Sequence, residues 1–488
     1  MKRNMRTYDY TRRNFLKAVC LGTASLAMQG CVSDSQQPGG KGIRPNILFF
    51  FTDDQRYNTL NALNNAEIIT PNMDTLVRKG TSFTRAYIMG SMSGAVCIPS
   101  RAKLMTGRTL FHLSGDGRNI PQEHVTLPET LQEAGYATFG TGKWHNDVSA
   151  YARSFTHGGK IFFGGMSDHL KVPVYDFNPA GTYPKEKRYI GEKFSSELFS
   201  DAAIKFLREY KDDNPFLVYV SYTAPHDPRM AQKKYRDMYN PDKISLPKNF
   251  MSEHPFDNGD LKIRDEELAP WPRTPDIVRE HIADYYAMIT HLDEQIGRVL
   301  KTLEESGKSD NTIIIFAGDN GLAVGQHGLF GKQNLYEHSV HVPLIISGPG
   351  LPQGKTCDAF CYLLDIFPTV CELVGSPIPE TVEGKSLVPL ITGEKKKVRD
   401  SIFGAYKEFQ RMVRNDRWKL IIYNVNGKQT MQLFDLQNDP WEMKNLAGDT
   451  AQAGRIKELT TLLKKWMKET GDNCDLNKPN WGYVPNEK

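Results

Sequence analysis

Four strand-length apolar runs, each delivering charged or ligating side chains at its carboxyl end, constrain the fold of this 488-residue chain more than any other feature. Asn46 to Thr52 (NILFFFT) is hydrophobic on both faces, as a central strand must be, and runs into Asp53-Asp54. Thr312 to Ala317 ends after Gly318 in Asp319-Asn320-Gly321, and Phe216 to Ser221 leads to Ala224-Pro225-His226. Tyr136 to Gly140 leads through Gly142-Lys143 to Trp144-His145. Between such runs lie helix-period segments; Tyr285 to Leu303 carries the apolar stripe Ile289, Leu292, Ile296, Val299, Leu300 and Leu303. The alternation predicts an α/β domain with a central, mostly parallel or mixed sheet flanked by helices. Ligands of open α/β sheets bind beyond the carboxyl ends of the strands, so the four runs predict one shared pocket.

The organisation reads as three segments. Residues 1–42 form a leader: Thr11-Arg12-Arg13-Asn14-Phe15-Leu16-Lys17 followed by the apolar run Ala18 to Met28 matches a twin-arginine export signal. That run is too short to span a bilayer as a mature helix. It ends at Gly30-Cys31 and a polar tether to Lys41, which leaves two readings open: a lipoprotein junction with Cys31 as a lipid anchor, or ordinary cleavage nearby. The expected location is the bacterial periplasm or, as a lipoprotein, the outer membrane. Residues 43–390 form the large domain. Residues 391–488 form a smaller α+β domain with an antiparallel sheet, with a linker over Thr392 to Lys397, strands near 401–405, 410–413 and 418–423, and a terminal helix from Ala453 to Thr470. A net charge of only +4, not gathered into a stripe, argues against nucleic acid as a partner.

Two stretches carry the chemistry. Cys97-Ile98-Pro99-Ser100-Arg101 places a nucleophilic side chain where a helix begins, beside a fixed cation, and helix N-termini and guanidinium groups both favour oxyanions. Five cysteines follow the leader, an odd number for an exported protein, and Cys97 is the candidate for a chemical role; Cys357, Cys361, Cys371 and Cys474 read as buried hydrophobes, with one bridge among the first three left open. Asp53, Asp54, Asp319 and Asn320 offer only oxygen ligands, which suits a hard cation, Ca²⁺ in an exported protein or else Mg²⁺, rather than zinc. Three carboxylates so placed would repel one another without a cation.

Taken together, these motifs resemble the type I sulfatase family of the alkaline phosphatase-like superfamily. The resemblance rests on Cys97, Pro99, Ser100, Arg101 and Thr106-Gly107-Arg108, on Thr52-Asp53-Asp54, Gly142 to His145, Ala224 to His226 and Gly318 to Gly321. It continues in His327-Gly328, Gly331-Lys332 and Tyr336-Glu337, and in Leu433 to Leu436, Asp439-Pro440 and Asn445-Leu446. One departure is His341 before Val342-Pro343, where arginine is common in relatives, a change placed in local packing or at the pocket rim.

The resemblance implies a sulfate-ester hydrolase in which a maturase oxidises the cysteine to formylglycine, whose hydrate is the nucleophile. It assigns the metal to Asp53, Asp54, Asp319, Asn320 and the modified Cys97. It makes His226 the acid for the leaving alcohol and His145 the base, has Arg101 and Lys143 hold the hydrate, and has Lys332 bind sulfate oxygen. Lys143, His226, Lys332 and His327 are the expected substrate contacts. The expected substrate is a sulfated carbohydrate. The stretches Ala150 to Tyr189 and Pro228 to Pro275 are expected to wall the pocket, with His157, Asp168, His169, Arg229 and His327 as candidate sugar contacts. Two alternatives remain: a phosphoester or phosphonate hydrolase of the same superfamily, and a glycan-binding lipoprotein without catalysis.

Overall fold

A computed structural model describes residues 44–479 and 481. The anticipated export leader, with Cys20, Cys31 and the anticipated lipoprotein junction, lies outside the described residues. The central sheet is built from β1 (Asn46–Thr52), β2 (Gly80–Phe83), β3 (Ala137–Lys143), β4 (His157–Phe162), β5 (Phe216–Ser221), β6 (Thr312–Gly318), β7 (Leu344–Ser347) and β8 (Lys355–Cys357). Their spatial order is β8-β2-β7-β6-β1-β5-β3-β4. β1 pairs in parallel with both β6 and β5, and β3 in parallel with β5 and β4; β7 runs antiparallel to its two neighbours. The four anticipated runs are thus adjacent and point the same way. At about 4.8 Å between strands, their carboxyl ends fall within roughly 15 Å of one another.

The two-residue period of β1 explains how it is buried on both sides. Ile47, Phe49 and Phe51 enter one apolar layer, and Leu48 and Phe50 the other. β5 divides likewise, with Leu217 and Tyr219 on the first side and Val218 and Val220 on the second. The second layer is covered by helix Pro275–Glu305, which extends beyond the anticipated Tyr285 to Leu303 because Thr274 caps it and Pro275 occupies its first turn. Its buried stripe runs from Val278 through Ile282, Ile289, Leu292 and Ile296 to Leu303.

The small sheet is an antiparallel meander of Ile402–Tyr406, Gln410–Arg414, Trp418–Val425 and Lys428–Asp435. Its last strand was not anticipated, nor was Gly90–Ser91, which joins the edge in parallel with Ile402–Tyr406. Residues on both sides of position 391 therefore share a sheet, and Phe51, Tyr336, Leu420 and Leu463 belong to one apolar cluster. A short helix, Val388–Thr392, closed by Gly393 in the left-handed region, runs into the anticipated linker, whose remaining residues are exposed and polar. The terminal helix spans Ala453–Thr470. Cys97, Cys357, Cys361, Cys371 and Cys474 are all unbridged. Among the described residues, no helix is long and apolar enough to cross a membrane.

Helix Cys97–Thr106, here α1, is buried at every residue, including Lys103. The Lys103 ammonium donates to the Gly90 carbonyl at 2.7 Å, and burial pushes its pKa down from 10.5 to about 7. Between those two values the unfolded chain holds a proton that the native chain has shed, so stability rises with pH across that window and is lowest below it. Lys103→Met is expected to stabilise the protein by about 2–4 kcal/mol at pH 6–7, with a gain that shrinks toward pH 9.5. Urea melts across that range check it; a gain independent of pH would contradict the account.

Candidate active site

Two of the strand ends present their side chains through a local distortion. Asp54 and His145 have φ of 64° and 68°, in the left-handed region that non-glycine residues rarely adopt. The Asp54 turn is held by its N–H, which donates to Asp319 Oδ1 at 3.0 Å. Gly142 has φ of 88°, and a Cβ there would lie 1.8 Å from the Ser221 carbonyl oxygen. That close approach, beside a register shift between Thr141 and Gly142, carries the chain into Lys143. Lys143 is therefore the last residue of a strand rather than part of the loop beyond it.

Cys97 is the first residue of α1 and is 1% exposed. Its Sγ lies 3.1 Å from His145 Nδ1 and 3.5 Å from Lys143 Nζ. Lys143 Nζ is also 2.5 Å from Asp53 Oδ2. One turn along α1, Arg101 reaches Asp319 Oδ2 through Nε and Nη2, both at 3.0 Å, and donates to Ser221 Oγ at 2.6 Å. Ser100 Oγ donates to the Asp319 carbonyl at 2.5 Å, tying α1 to the end of β6. On the other flank, Asp54 Oδ1 accepts from Lys332 Nζ at 2.6 Å and Asn320 Nδ2 at 2.7 Å. His226 Nε2 stands 3.6 Å from Asp54 Oδ2, while its Nδ1 is 2.8 Å from the Asp227 carbonyl. Ten of the anticipated site residues thus form one contiguous network: Asp53, Asp54, Cys97, Arg101, Lys143, His145, His226, Asp319, Asn320 and Lys332.

Three buried carboxylates meet three buried cations here. Burial pushes Asp53 up, but Lys143, His226, Arg101 and Lys332 outweigh it and hold that carboxyl well below its usual range. Asp319 fares differently: burial and the Asp53 charge lift it to about 7 against Arg101 and Lys143. Burial opposes the Lys332 charge, yet Asp54 more than compensates and keeps it well above its ordinary value. Burial, then Lys143 and Arg101, push His145 far down, so its ring is neutral. Burial also raises the Cys97 thiol against Lys143 and Lys332, with Asp53 and Asp319 adding to the rise. A thiol so placed is not an activated thiolate.

The donor set fits a hard divalent cation. Ligand atoms of Asp53, Cys97 and Asp319 lie within 4.8 Å of one another, as do those of Asp53, Asp54 and His226. Asp53 Oδ1 and Asn320 Oδ1 are buried without a hydrogen-bond partner, which leaves two oxygen lone-pair donors facing the cluster.

A family model described as sulfatase matches residues 45–376. The chain belongs to the sulfatase family. A second model, the C-terminal region of N-sulphoglucosamine sulphohydrolase, matches residues 325–469 of this sulfatase. It is 28% identical to an N-acetylglucosamine-6-O-sulfatase of Bacteroides thetaiotaomicron, covering 93% of this chain and 91% of that protein. It is 30% identical to an ulvan-active sulfatase of Formosa agariphila, covering 88% of this chain and 82% of that one. Among solved structures, it is similar to one in complex with its substrate D-glucosamine-2-N,6-O-disulfate, with TM-score 0.74, 26% identity, and coverage of 88% of this chain and 99% of that one. The fold is that of the sulfatases of this superfamily, and the protein is a sulfuric ester hydrolase.

Above Cys97 lies a cavity of about 240 Å³ lined by His145, His226, Lys332, Met166, Arg264 and Asp265, among others. Both anticipated wall segments reach it, through Gly165-Met166 and Ile263-Arg264-Asp265. The individual sugar contacts anticipated from sequence do not line it. His327 is a correction: its ring stacks on Tyr336 at 4.0 Å and its Nε2 faces Asn249 Nδ2 at 3.0 Å, away from this cavity. His157 packs by Phe206 and Tyr210, Arg229 is bonded to His281, and the Asp168 carboxylate caps Leu170 N–H. His169 is buried beneath the site, between Ser195 Oγ and the His226 carbonyl, where it positions the His226 loop. Sequence reasoning missed Arg264, which bridges Asp227 and Asp265 at 2.5 Å each across the mouth; its segment has no periodicity or motif to mark it.

Proposed function

We propose that this sulfatase is exported and removes sulfate from carbohydrate esters, using formylglycine derived from Cys97 and a bound Ca²⁺ or Mg²⁺. The observation that carries the reading is the place of Cys97: at the start of α1, between His145 and Lys143, with its Sγ within 4.8 Å of carboxylate oxygens of Asp53 and Asp319, and in a thiol form that burial makes unreactive. Formylglycine would supply a hydrated aldehyde whose hydroxyl attacks sulfur. The cation, held by Asp53, Asp54, Asp319 and Asn320, would supply charge stabilisation for the sulfate oxygens.

The protein's own residues do the rest. Lys143, buried, fixes residue 97 and Asp53, Arg101, also buried, fixes Asp319, and Lys332 holds a permanent positive charge at the cavity wall for a sulfate oxygen. His226, open to the cavity through its ring, donates a proton to the departing alcohol. His145, neutral and 3.1 Å from Sγ, accepts a proton from residue 97. Carbohydrate as the alcohol is supported by the named substrates of the relatives, an N-acetylglucosamine sulfate and ulvan among them. Export is supported by the twin arginines and apolar run of the leader, with a lipid anchor on Cys31 as its accompanying proposal.

Sulfate release from defined sulfated mono- and disaccharides, set against hydrolysis of an aryl phosphonate ester, tests the reading. A preference for the phosphorus ester would overturn it. The proton-donor role makes a separate demand. His226→Ala is expected to slow desulfation of a sugar by about 10²–10⁴-fold but that of a nitrophenyl sulfate, whose leaving group needs no proton, by far less. Equal losses on both substrates would remove His226 from that role.

A further inference from the structure

A second cavity, of about 440 Å³, opens beside the loop after β1 and shares no lining residue with the cavity above Cys97. Its floor holds Arg56, which is 3% exposed, with Nε and Nη1 buried and without a hydrogen-bond partner. Among the described residues no carboxylate pairs with that guanidinium, which lies 5.3 Å from the Tyr285 ring centre. Of the three acids lining the cavity, Asp358 is exposed and has no ion-pair partner among the described residues, and the two buried or half-buried ones are committed elsewhere. Glu337 takes Arg414 at 2.5 Å, Lys419 at 3.0 Å and Tyr87 Oη at 2.7 Å, and Glu442 takes Lys419 at 2.7 Å. The buried groups left without a partner are therefore cationic or neutral: Arg56, both ring nitrogens of His338, Nε2 of His341 and Oδ1 of Asn249.

A buried guanidinium without a counter-ion is costly, and the space before it is far larger than one small oxyanion fills. The walls add aromatic surface from Tyr57 and Trp441 and the side-chain amides of Asn58, Asn249 and Gln326. Aromatic faces with a few convergent amides are how proteins hold a polar ring, and a guanidinium is how they hold its carboxylate. We propose that this cavity is a non-catalytic binding site for a carboxylated sugar, with Arg56 receiving the carboxylate and Trp441 and Tyr57 flanking the ring. The inference stands on this cavity alone and does not depend on the chemistry at residue 97.

D-Glucuronate, titrated against the full protein by calorimetry and by tryptophan fluorescence, tests it, with D-glucose as the neutral control. Glucuronate is expected to saturate the protein and to bind at least about tenfold more tightly than glucose, with about a tenfold loss in Arg56→Gln. Arg264→Ala, at the mouth of the other cavity, is expected to leave glucuronate binding unchanged, and Trp441→Ala to remove the fluorescence change. Should Arg56→Gln fail to fold, Asn249→Asp places a negative charge in the cavity and is expected to weaken glucuronate, but not glucose, by about tenfold. No saturation, equal affinity for the two sugars, or a loss in Arg264→Ala matching that in the cavity variants would each overturn the proposal.

Discussion

Cys97→Ala is expected to lower sulfate release by about 10⁴-fold or more while changing the folding free energy by no more than about 1 kcal/mol. The small predicted structural cost follows from what surrounds the thiol. Asp53 keeps Lys143, Asp319 keeps Arg101, and Asp54 keeps Lys332 whatever stands at position 97, so the ionic lattice survives the loss of one sulfur. The large catalytic cost follows because no other thiol or hydroxyl side chain lines the cavity: the remaining polar lining is cationic, imidazole, amide or carboxylate. Assays of the alanine variant beside its parent, with circular dichroism as the folding control, check both halves. Activity within about tenfold of the parent would remove residue 97 from the reaction.

Removal of divalent cations is expected to have the second largest effect, lowering turnover by about 10²-fold or more and lowering the melting temperature in parallel. Asp53, Asp54 and Asp319 are 0%, 1% and 0% exposed, and Asp319 sits at about 7 because burial, and after it the Asp53 charge, disfavours its ionised form. A divalent ion between the carboxylates would favour that form. By linkage, an ion at about one hundred times its dissociation constant adds about 2.7 kcal/mol of stability. Chelation followed by titration with Ca²⁺ or Mg²⁺, read by thermal melting and sulfate release together, checks this. Asp54→Ala should abolish the stabilisation by added ion as well as the activity. If chelated protein keeps its melting temperature and its turnover, the carboxylate cluster is not a metal site.

Much of the site was legible because its residues stand at the ends of strands whose interiors are unambiguous. NILFFFT reads as a doubly buried strand, which puts Asp53-Asp54 at the carboxyl end of the sheet, and parallel pairing of β6, β1 and β5 brings Asp319 and His226 to the same end. The same logic failed wherever a residue's direction is set by tertiary contacts. His327 carries the right chemistry for a sugar contact, but its left-handed backbone, with φ of 51°, turns the ring onto Tyr336. Arg264 and Asp265 lie in an irregular segment, and no local pattern reports which cavity such a segment borders. Strand Lys428–Asp435 had an available signal in Asn426-Gly427, both at positive φ in the turn before it, which marks a tight hairpin. Gly90–Ser91 had none, because its partner Ile402–Tyr406 lies far along the chain.

The most direct test is the mass of the proteolytic peptide carrying residue 97, taken from protein made in a host with a formylglycine-forming maturase and fractionated by activity. The account predicts that the active fraction carries the aldehyde or its hydrate at residue 97 and that turnover rises in proportion to the modified fraction. Full turnover in protein whose residue 97 is uniformly an unmodified cysteine would contradict it.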